Sequence, residues 1–403
     1  MSAPVTGPRL ADLTTARVGG AARTLVEAGT EQEIVAAVRA ADAAGEPLLI
    51  VSGGSNLLIG DDGFDGTVVR ITSSGFTVDD DDATCGGVMV KVQAGHDWDD
   101  LVRYTVLHAF SGLEALSGIP GSTGATPVQN VGAYGSDVAQ TIATVRTFDR
   151  ETDSIKSFTN FELGFGYRDS LLKRSTVGGS PRYVVLSVEF QLGLGRMSKP
   201  VRYAELARAL GIGVGERAYA NDVRRAVLRL RAGKGMVLDA PDPDTWSTGS
   251  FFTNPIVSED VAAGLPADAP RYPAGLEGQV KLSAAWLIER AGFSKGFGLG
   301  DDDGYAAAEG RASLSTKHTL AVTNRGGATT SDLLSVARLV RDGENGVLVP
   351  PGDVDQLTAA LTLLAGDPER RRQLGRAARA AAAGFTFAEV GRTRARQLVQ
   401  LVA

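Results

Sequence analysis

Apolar and polar positions recur along the chain with two periods, one helical and one extended. In residues 31–44 the apolar Ile34, Val35, Val38 and Ala41 fall on one helical face, and residues 48–52 form an apolar run of strand length. A small α/β unit is therefore expected up to about residue 72. Between 66 and 94, β-branched runs such as TVVRI and VMVKV are set off by Gly and Asp turns, which predicts short strands, and residues 97–109 then follow the pattern of an amphipathic helix. Four aspartates at 79–82 fall between these strands. Like charges repel and prefer water, so this run reads as a solvated turn.

After a glycine-rich stretch at 118–135, strands are expected at 142–149 and 183–192, followed by helical periodicity over 203–230. The segment GLGRMSKP suits a domain boundary near 195–200. The unit from 200 to 341 is mixed, with a helix expected at 283–291 and a strand at 320–324. Beyond 341 the character changes. VLV before PPGD reads as a strand and turn, Asp353 and Asp367 before Pro368 as helix N-caps, and RRRQLGRAARAAAA as a strong helix former. The pattern predicts an α+β chain in four parts, 1–72, 73–199, 200–341 and a helical tail at 342–403.

Composition narrows the classes of function. A chain of 403 residues with 43% apolar content folds rather than staying disordered. Its 41 basic and 47 acidic side chains give a net charge of −6, which argues against duplex nucleic acid as a partner. With the single Cys85 and only His96, His108 and His318, neither an intramolecular disulfide nor a zinc cluster of cysteine and histidine can be assembled, and no metal is expected. No run approaches the roughly 20 apolar residues that span a bilayer. MSAPVTGPRLADLTTARVGG also lacks the apolar segment of a signal peptide, so no membrane is implied and a cytoplasmic place is expected.

Candidate chemistry begins at LLIVSGGSNLLIG, where Gly53, Gly54, Ser55 and Asn56 follow a buried strand and backbone N–H groups can face an anion. Taken alone such a turn is more often a plain β-turn, and it matches neither the Walker A loop nor GxGxxG. A second glycine-rich stretch, LSGIPGSTGATPVQNVGAYG, adds Ser, Thr, Gln and Asn side chains, and two cradles suit one long dinucleotide. The alternative is a loop that merely turns the chain. In FGYRDS, Arg168 beside Tyr167 could grip a carboxylate in two parallel hydrogen bonds, or be a surface ion pair. In STGSFFTNP, Ser250 between a glycine and two aromatics could be a sheltered proton donor, or an ordinary turn residue. Lys281, Trp286, Lys317 and His318 read as packing or solvated charge.

Taken in order, TARVGG, VSGGSNLLI, SGIPGSTGATPVQNVGAYG, FGYRDS, GSFFTNP, KLSAAWLIE and STKHTLAVTNRGGATTSDLL resemble the UDP-N-acetylenolpyruvoylglucosamine reductase family, the UDP-N-acetylmuramate dehydrogenases, over residues 10–341. The resemblance implies a two-subdomain FAD-binding unit of the vanillyl-alcohol-oxidase-like type, a smaller α+β substrate domain, and hydride supplied by NADPH. By carry-over, Gly53, Gly54, Ser55, Asn56 and Leu57, with Ser117, Gly121, Ser122, Gly124, Gln129 and Asn130, match the family's FAD contacts. Arg168 matches the arginine that binds the enolpyruvyl carboxylate and Ser250 the catalytic serine. Tyr167, Tyr203, Lys234 and Asn254 match substrate-binding positions, and the segment 200–246 resembles a tyrosine-bearing loop that folds over the substrate. The substrate implied is UDP-N-acetylglucosamine enolpyruvate; no protein partner is.

The family ends in a strand that carries a proline and a catalytic glutamate, and here that ending is replaced. Residues 342–390 instead resemble the C-terminal tail of two-Rossmann-domain glycosyltransferases, although about 60 residues cannot supply a nucleotide-binding domain. Of the nearby acids Glu344, Asp353 and Asp355, none stands in the proline-glutamate context. Three functions are therefore distinguished: a reductase impaired by its C-terminus, a protein that binds FAD and UDP-sugar with little turnover, and a glycosyltransferase.

Overall fold

The computed structural model describes residues 5–79, 87–274, 277–290, 293–299 and 307–337, together with positions 359, 363, 366–370 and 372–373. It divides into two compact units, Met1–Asp239 and Ala240–Ala403.

In the first unit, β1 (Ala22–Ala28), α1 (Glu31–Ala43), β2 (Leu48–Val51) and β3 (Phe64–Ile71) form a parallel sheet in the order β1-β3-β2. Helix α1 starts at Glu31 because Thr30 and Glu33 close a capping box: the Glu33 N–H donates to Thr30 Oγ1 at 3.2 Å and the Thr30 N–H to Glu33 Oε2 at 3.0 Å. A larger antiparallel sheet follows. Its strands are β4 (Phe76–Asp79), β5 (Gly87–Gln93), the short β6 (Phe110–Ser111), and, beyond the hairpin of β7 (Gly132–Ala133) and β8 (Ser136–Asp137), β9 (Ile142–Asp149) and β10 (Ser154–Thr159). After the β11 (Thr176–Val177) and β12 (Ser180–Pro181) hairpin comes its longest strand, β13 (Tyr183–Leu194), and the order is β10-β9-β13-β5-β4 with β6 on β13. Helix α2 (Trp98–Leu107) is capped by Asp97, whose Oδ1 accepts the Asp100 N–H at 2.9 Å. The short α3 (Asn160–Leu163) and α4 (Leu171–Arg174) precede α5 (Ala204–Leu210) and α6 (Ala220–Ala232).

Both sheets share one core, in which Ile34 and Val38 of α1 join Val69, Val90, Leu101, Phe148 and Phe190. Arg146 of β9 pairs with Glu31 at 2.9 Å, and Arg150 donates to Asp42 at 3.0 Å, so α1 is fastened to the larger sheet. Leu10, Leu49, Val51, Ile59 and Val68 form a separate cluster on the smaller sheet, so the expected boundary at 72/73 separates two sheets that share only part of their core. Residues 200–239, expected with the third domain, belong to the first unit. There Val201, Leu206, Val223 and Val227 form a cluster that takes in Tyr134, and Arg224 pairs with Asp99.

In the second unit, β14 (Ile256–Ser258), α7 (Glu259–Ala263), β15 (Arg271–Pro273) and β16 (Gln279–Leu282) give a three-stranded sheet in the order β14-β16-β15, with Val257, Val261 and Leu282 at its core. The expected helix at 283–291 is α8 (Ala284–Arg290). A hairpin of β17 (Ala312–Leu314) and β18 (Val322–Asn324) is followed by α9 (Thr330–Ala337). Farther on, Asp367 Oδ1 accepts the Arg370 N–H at 2.8 Å, the N-cap bond expected there. Residues 80–82 of the aspartate run, Cys85, Glu344, Asp353 and Asp355 lie outside the described residues. Among the described residues no helix is long and apolar enough to cross a membrane.

Candidate active site

The fold lays the two glycine-rich segments against each other. A Cβ on Gly53 would stand 2.5 Å from Gly121 Cα, so position 53 needs glycine for the backbones to meet, while Gly121 needs it for its φ of +119°. Ser55 Oγ donates to Pro120 O at 2.8 Å and Asn56 Nδ2 to Gln129 Oε1 at 3.0 Å. Gly54 serves a different purpose. Its φ is +58°, and a Cβ there would lie 1.7 Å from Leu13 O, so a bulky residue would disrupt the chain's own packing. Leu57 packs beside Leu10 and Ile59, the Ser117 hydroxyl donates to Glu114 O at 2.7 Å, and the Gly124 N–H donates to Ala94 O at 2.7 Å. Ser122 is unlike these. It is buried, yet its Oγ has no hydrogen-bond partner, a condition among the described side chains shared only with His96 Nε2 and Arg231 Nε. An orphaned hydroxyl within such a stretch is what a bound polar group would satisfy.

From this cradle the hydrogen bonds run on to Arg168. Asn130, at φ +43°, donates from Nδ2 to Gly166 O at 2.9 Å and accepts the Ala139 N–H at 3.2 Å. Arg168 sits in a tight turn closed by the Gly166 N–H to Asp169 O bond of 3.0 Å, and its own φ of +55° is strained for a non-glycine residue. Its Nη2 donates to Gly132 O at 2.6 Å and its Nη1 to Asn130 O at 3.3 Å. Burial lowers the guanidinium below the usual arginine range, partly offset by Tyr167 and Asp137. Tyr167 itself is exposed.

Near the end of α6 the Tyr134 and Tyr203 rings meet edge to face at 5.6 Å, and Lys234 Nζ lies 5.7 Å from the Tyr134 ring centre and 2.7 Å from Glu205. Burial pushes the Tyr134 hydroxyl up to about 12, which keeps it a proton-bearing donor. Arg231 donates from Nη2 to Met236 O at 2.7 Å, and burial brings it down to about 10, with the charge of Arg168 adding to the effect. Two buried cations within each other's field favour an anion beside them. Arg231 and Tyr134 were not singled out from sequence. The available signal was the spacing of Val223, Val227 and Arg231, which sets a cation on the buried face of α6.

Ser250 and Asn254 belong to the second unit. Ser250 is exposed, which corrects the expectation of a sheltered hydroxyl: Gly249 turns at φ +74°, and the Phe251 N–H is drawn to Leu320 O at 2.7 Å, leaving the serine outside. Asn254 Oδ1 accepts the Ala284 N–H at 2.9 Å at the start of α8. Lys317 pairs with Asp242 at 2.5 Å, while the buried Asp244 accepts from Arg325 at 2.7 Å and from the Thr316 N–H at 2.8 Å, which fixes the STKHT loop. No group of three or more His, Cys, Asp or Glu among the described residues is placed to hold a metal ion.

A close-packed glycine-rich cradle with an orphaned hydroxyl fits a flavin dinucleotide, and residues 22–155 match the family profile described as an FAD binding domain. Residues 242–343 match the C-terminal domain of UDP-N-acetylenolpyruvoylglucosamine reductase. The reductase of that name from Cutibacterium acnes is 53% identical over 334 residues, 83% of this chain and 84% of its own length. The one from Nocardia farcinica is 55% identical over 344 residues, again 83% of this chain and 84% of its own. The chain belongs to the UDP-N-acetylenolpyruvoylglucosamine reductase family. The crystal structure of the Thermus caldophilus reductase shares the fold, at a TM-score of 0.52 and 24% identity over 82% of this chain and 92% of that one. The likeness of residues 342–390 to glycosyltransferase tails finds no support in these comparisons, the second profile ending at residue 343.

Proposed function

We propose that the chain is an FAD-dependent oxidoreductase that uses NADPH to reduce UDP-N-acetylglucosamine enolpyruvate to UDP-N-acetylmuramate, in cytoplasmic peptidoglycan precursor synthesis. The observation that carries this reading is the path from Asn56 to Gln129 and from Asn130 to Arg168, along which groups suited to a dinucleotide lead into a desolvated guanidinium suited to a carboxylate. Gly53, Gly54, Ser55, Asn56 and Leu57, with the stretch from Ser117 to Asn130, would hold FAD, which supplies the hydride chemistry when bound. Arg168 grips the enolpyruvyl carboxylate and stabilises the negative charge that develops on it. Its bonds to Asn130 O and Gly132 O fix its direction before substrate arrives. Tyr203, Lys234 and Asn254 hold the sugar diphosphate, Tyr167 adds a further substrate contact, and the Ser250 hydroxyl delivers a proton to the carbon beside the carboxylate.

The test is steady-state NADPH oxidation by the purified chain with and without the enolpyruvyl sugar. Oxidation that requires the sugar and yields UDP-N-acetylmuramate is expected. Sugar binding without oxidation would favour the second reading, a flavin- and UDP-sugar-binding protein with little turnover.

A further inference from the structure

Helices α2 and α6 meet beside the start of the second glycine-rich stretch. Asp99, in the first turn of α2, accepts two parallel bonds from Arg224 of α6, Nη1 to Oδ1 at 2.6 Å and Nη2 to Oδ2 at 2.7 Å. The same Oδ1 accepts the Gly118 N–H at 2.6 Å. Gly118 turns at φ +70°, and a Cβ there would meet Leu228 Cδ2 at 2.7 Å and Val237 Cγ2 at 3.2 Å. The stretch is thus pinned by a hydrogen bond from α2 and by side chains of α6 and the segment after it. Burial alone would raise the Asp99 carboxyl, but the bonds from Arg224 and the Gly118 N–H outweigh it and hold the group below its ordinary value, so it is ionised at neutral pH.

Arg224 and Arg231 stand seven residues apart on α6 and so share a face, with Lys234 just beyond the helix end. We propose that Asp99 and Arg224 are a positioning pair, which fixes Gly118 and the cofactor-binding stretch behind it in register with the Arg231 and Lys234 end of α6. In this role neither side chain need touch cofactor or substrate; the pair sets the geometry in which the two are presented to each other. A fork is required and not just a charge, because only a guanidinium spans both carboxylate oxygens. The inference rests on the flavoenzyme reading given above.

The test uses Arg224→Lys and Asp99→Asn in the full chain, freed of flavin and titrated with FAD by fluorescence. Loss of the forked charge-assisted bonds is expected to raise the FAD dissociation constant and the KM for the enolpyruvyl sugar about tenfold each, while kcat at saturation stays within about threefold of the parent. Amide hydrogen exchange in Arg224→Lys should quicken at residues 117–124 ahead of the rest of the unit. A pair that only stabilised the fold would lower the unfolding temperature and leave both constants unchanged. That result overturns the proposal, as do parental FAD affinity in Arg224→Lys and exchange that quickens evenly along the chain. A parent chain that binds no FAD would overturn the flavoenzyme reading and the positioning pair together, whereas a parent that binds FAD, with variants that bind it equally well, overturns the pair alone.

Discussion

Among single residues, Ser122 offers the cleanest probe of the cofactor cradle, because its buried hydroxyl lacks a partner while the glycines around it are needed for the chain's own packing. Removing an unsatisfied buried hydroxyl costs little, so Ser122→Ala should leave the unfolding temperature of the flavin-free chain unchanged or slightly raised, yet weaken FAD binding about fivefold, the worth of one hydrogen bond. Thermal unfolding and FAD titration measure the two effects. Equal affinity in parent and variant would mean that the hydroxyl does not face the cofactor. Ser250 makes a different kind of prediction. Flavin reduction by NADPH needs no proton from it, so stopped-flow traces of Ser250→Ala should show a normal first half-reaction and a slowed second one. Because Ser250 is exposed, water can partly replace it, and the slowing should fall at the low end of general-acid effects, about a hundredfold. Equal slowing of both halves would give the serine a positional role instead.

At the scale of elements, the junction of β9 and β13 carries a pH-dependent tie. Arg182 donates from Nε and Nη2 to the two oxygens of the buried Asp149, each at 2.9 Å, and these bonds, working against burial, hold the carboxyl down at about 2. A group whose folded value lies below its ordinary value of about 4 stabilises the fold above that value and loses the contribution as pH falls through the folded one. Asp149→Asn should therefore unfold at a lower temperature than the parent at neutral pH, with the gap closing between about pH 4 and about pH 2; a gap independent of pH would contradict the account. Local signals made several elements legible in the sequence. Helix α1 could be placed almost to the residue from its apolar period, and β9 from its β-branched run. What sequence could not supply was long-range pairing: Asp99 and Arg224 are 125 residues apart, and nothing local announces that α6 packs with the first unit. Aromatic neighbours suggested shelter for Ser250, but the direction of the Phe251 backbone bond decided otherwise. Sequence marked Gly54 as backbone open to an anion; it could not show that Leu13 O fills the space where a Cβ would be, which is a second reason for glycine there.

For the whole molecule, family membership extends over both compact units, and a catalytic glutamate missing from residues 342–403 would be expected to bear on rate more than on cofactor binding. Both glycine-rich segments and Arg168 lie in the first unit. Replacing residues 342–403 with a short segment bearing the family's proline and glutamate is expected to raise turnover about a hundredfold, the low end for restoring one preorganised partner of a developing anion, with FAD stoichiometry unchanged. Turnover at saturating NADPH measures this, and an unchanged, already high rate would show that another acid serves. In the proposed reaction one chain takes electrons from NADPH and passes them to the enolpyruvyl sugar through bound FAD. The most direct measurement follows the flavin absorbance of the purified chain without oxygen, adding first NADPH and then UDP-N-acetylglucosamine enolpyruvate. The oxidised band should bleach with NADPH and return with the sugar, one UDP-N-acetylmuramate forming per flavin. A chain that purifies without flavin and takes up none, or a bleached flavin that the sugar fails to reoxidise, would contradict the proposed reaction.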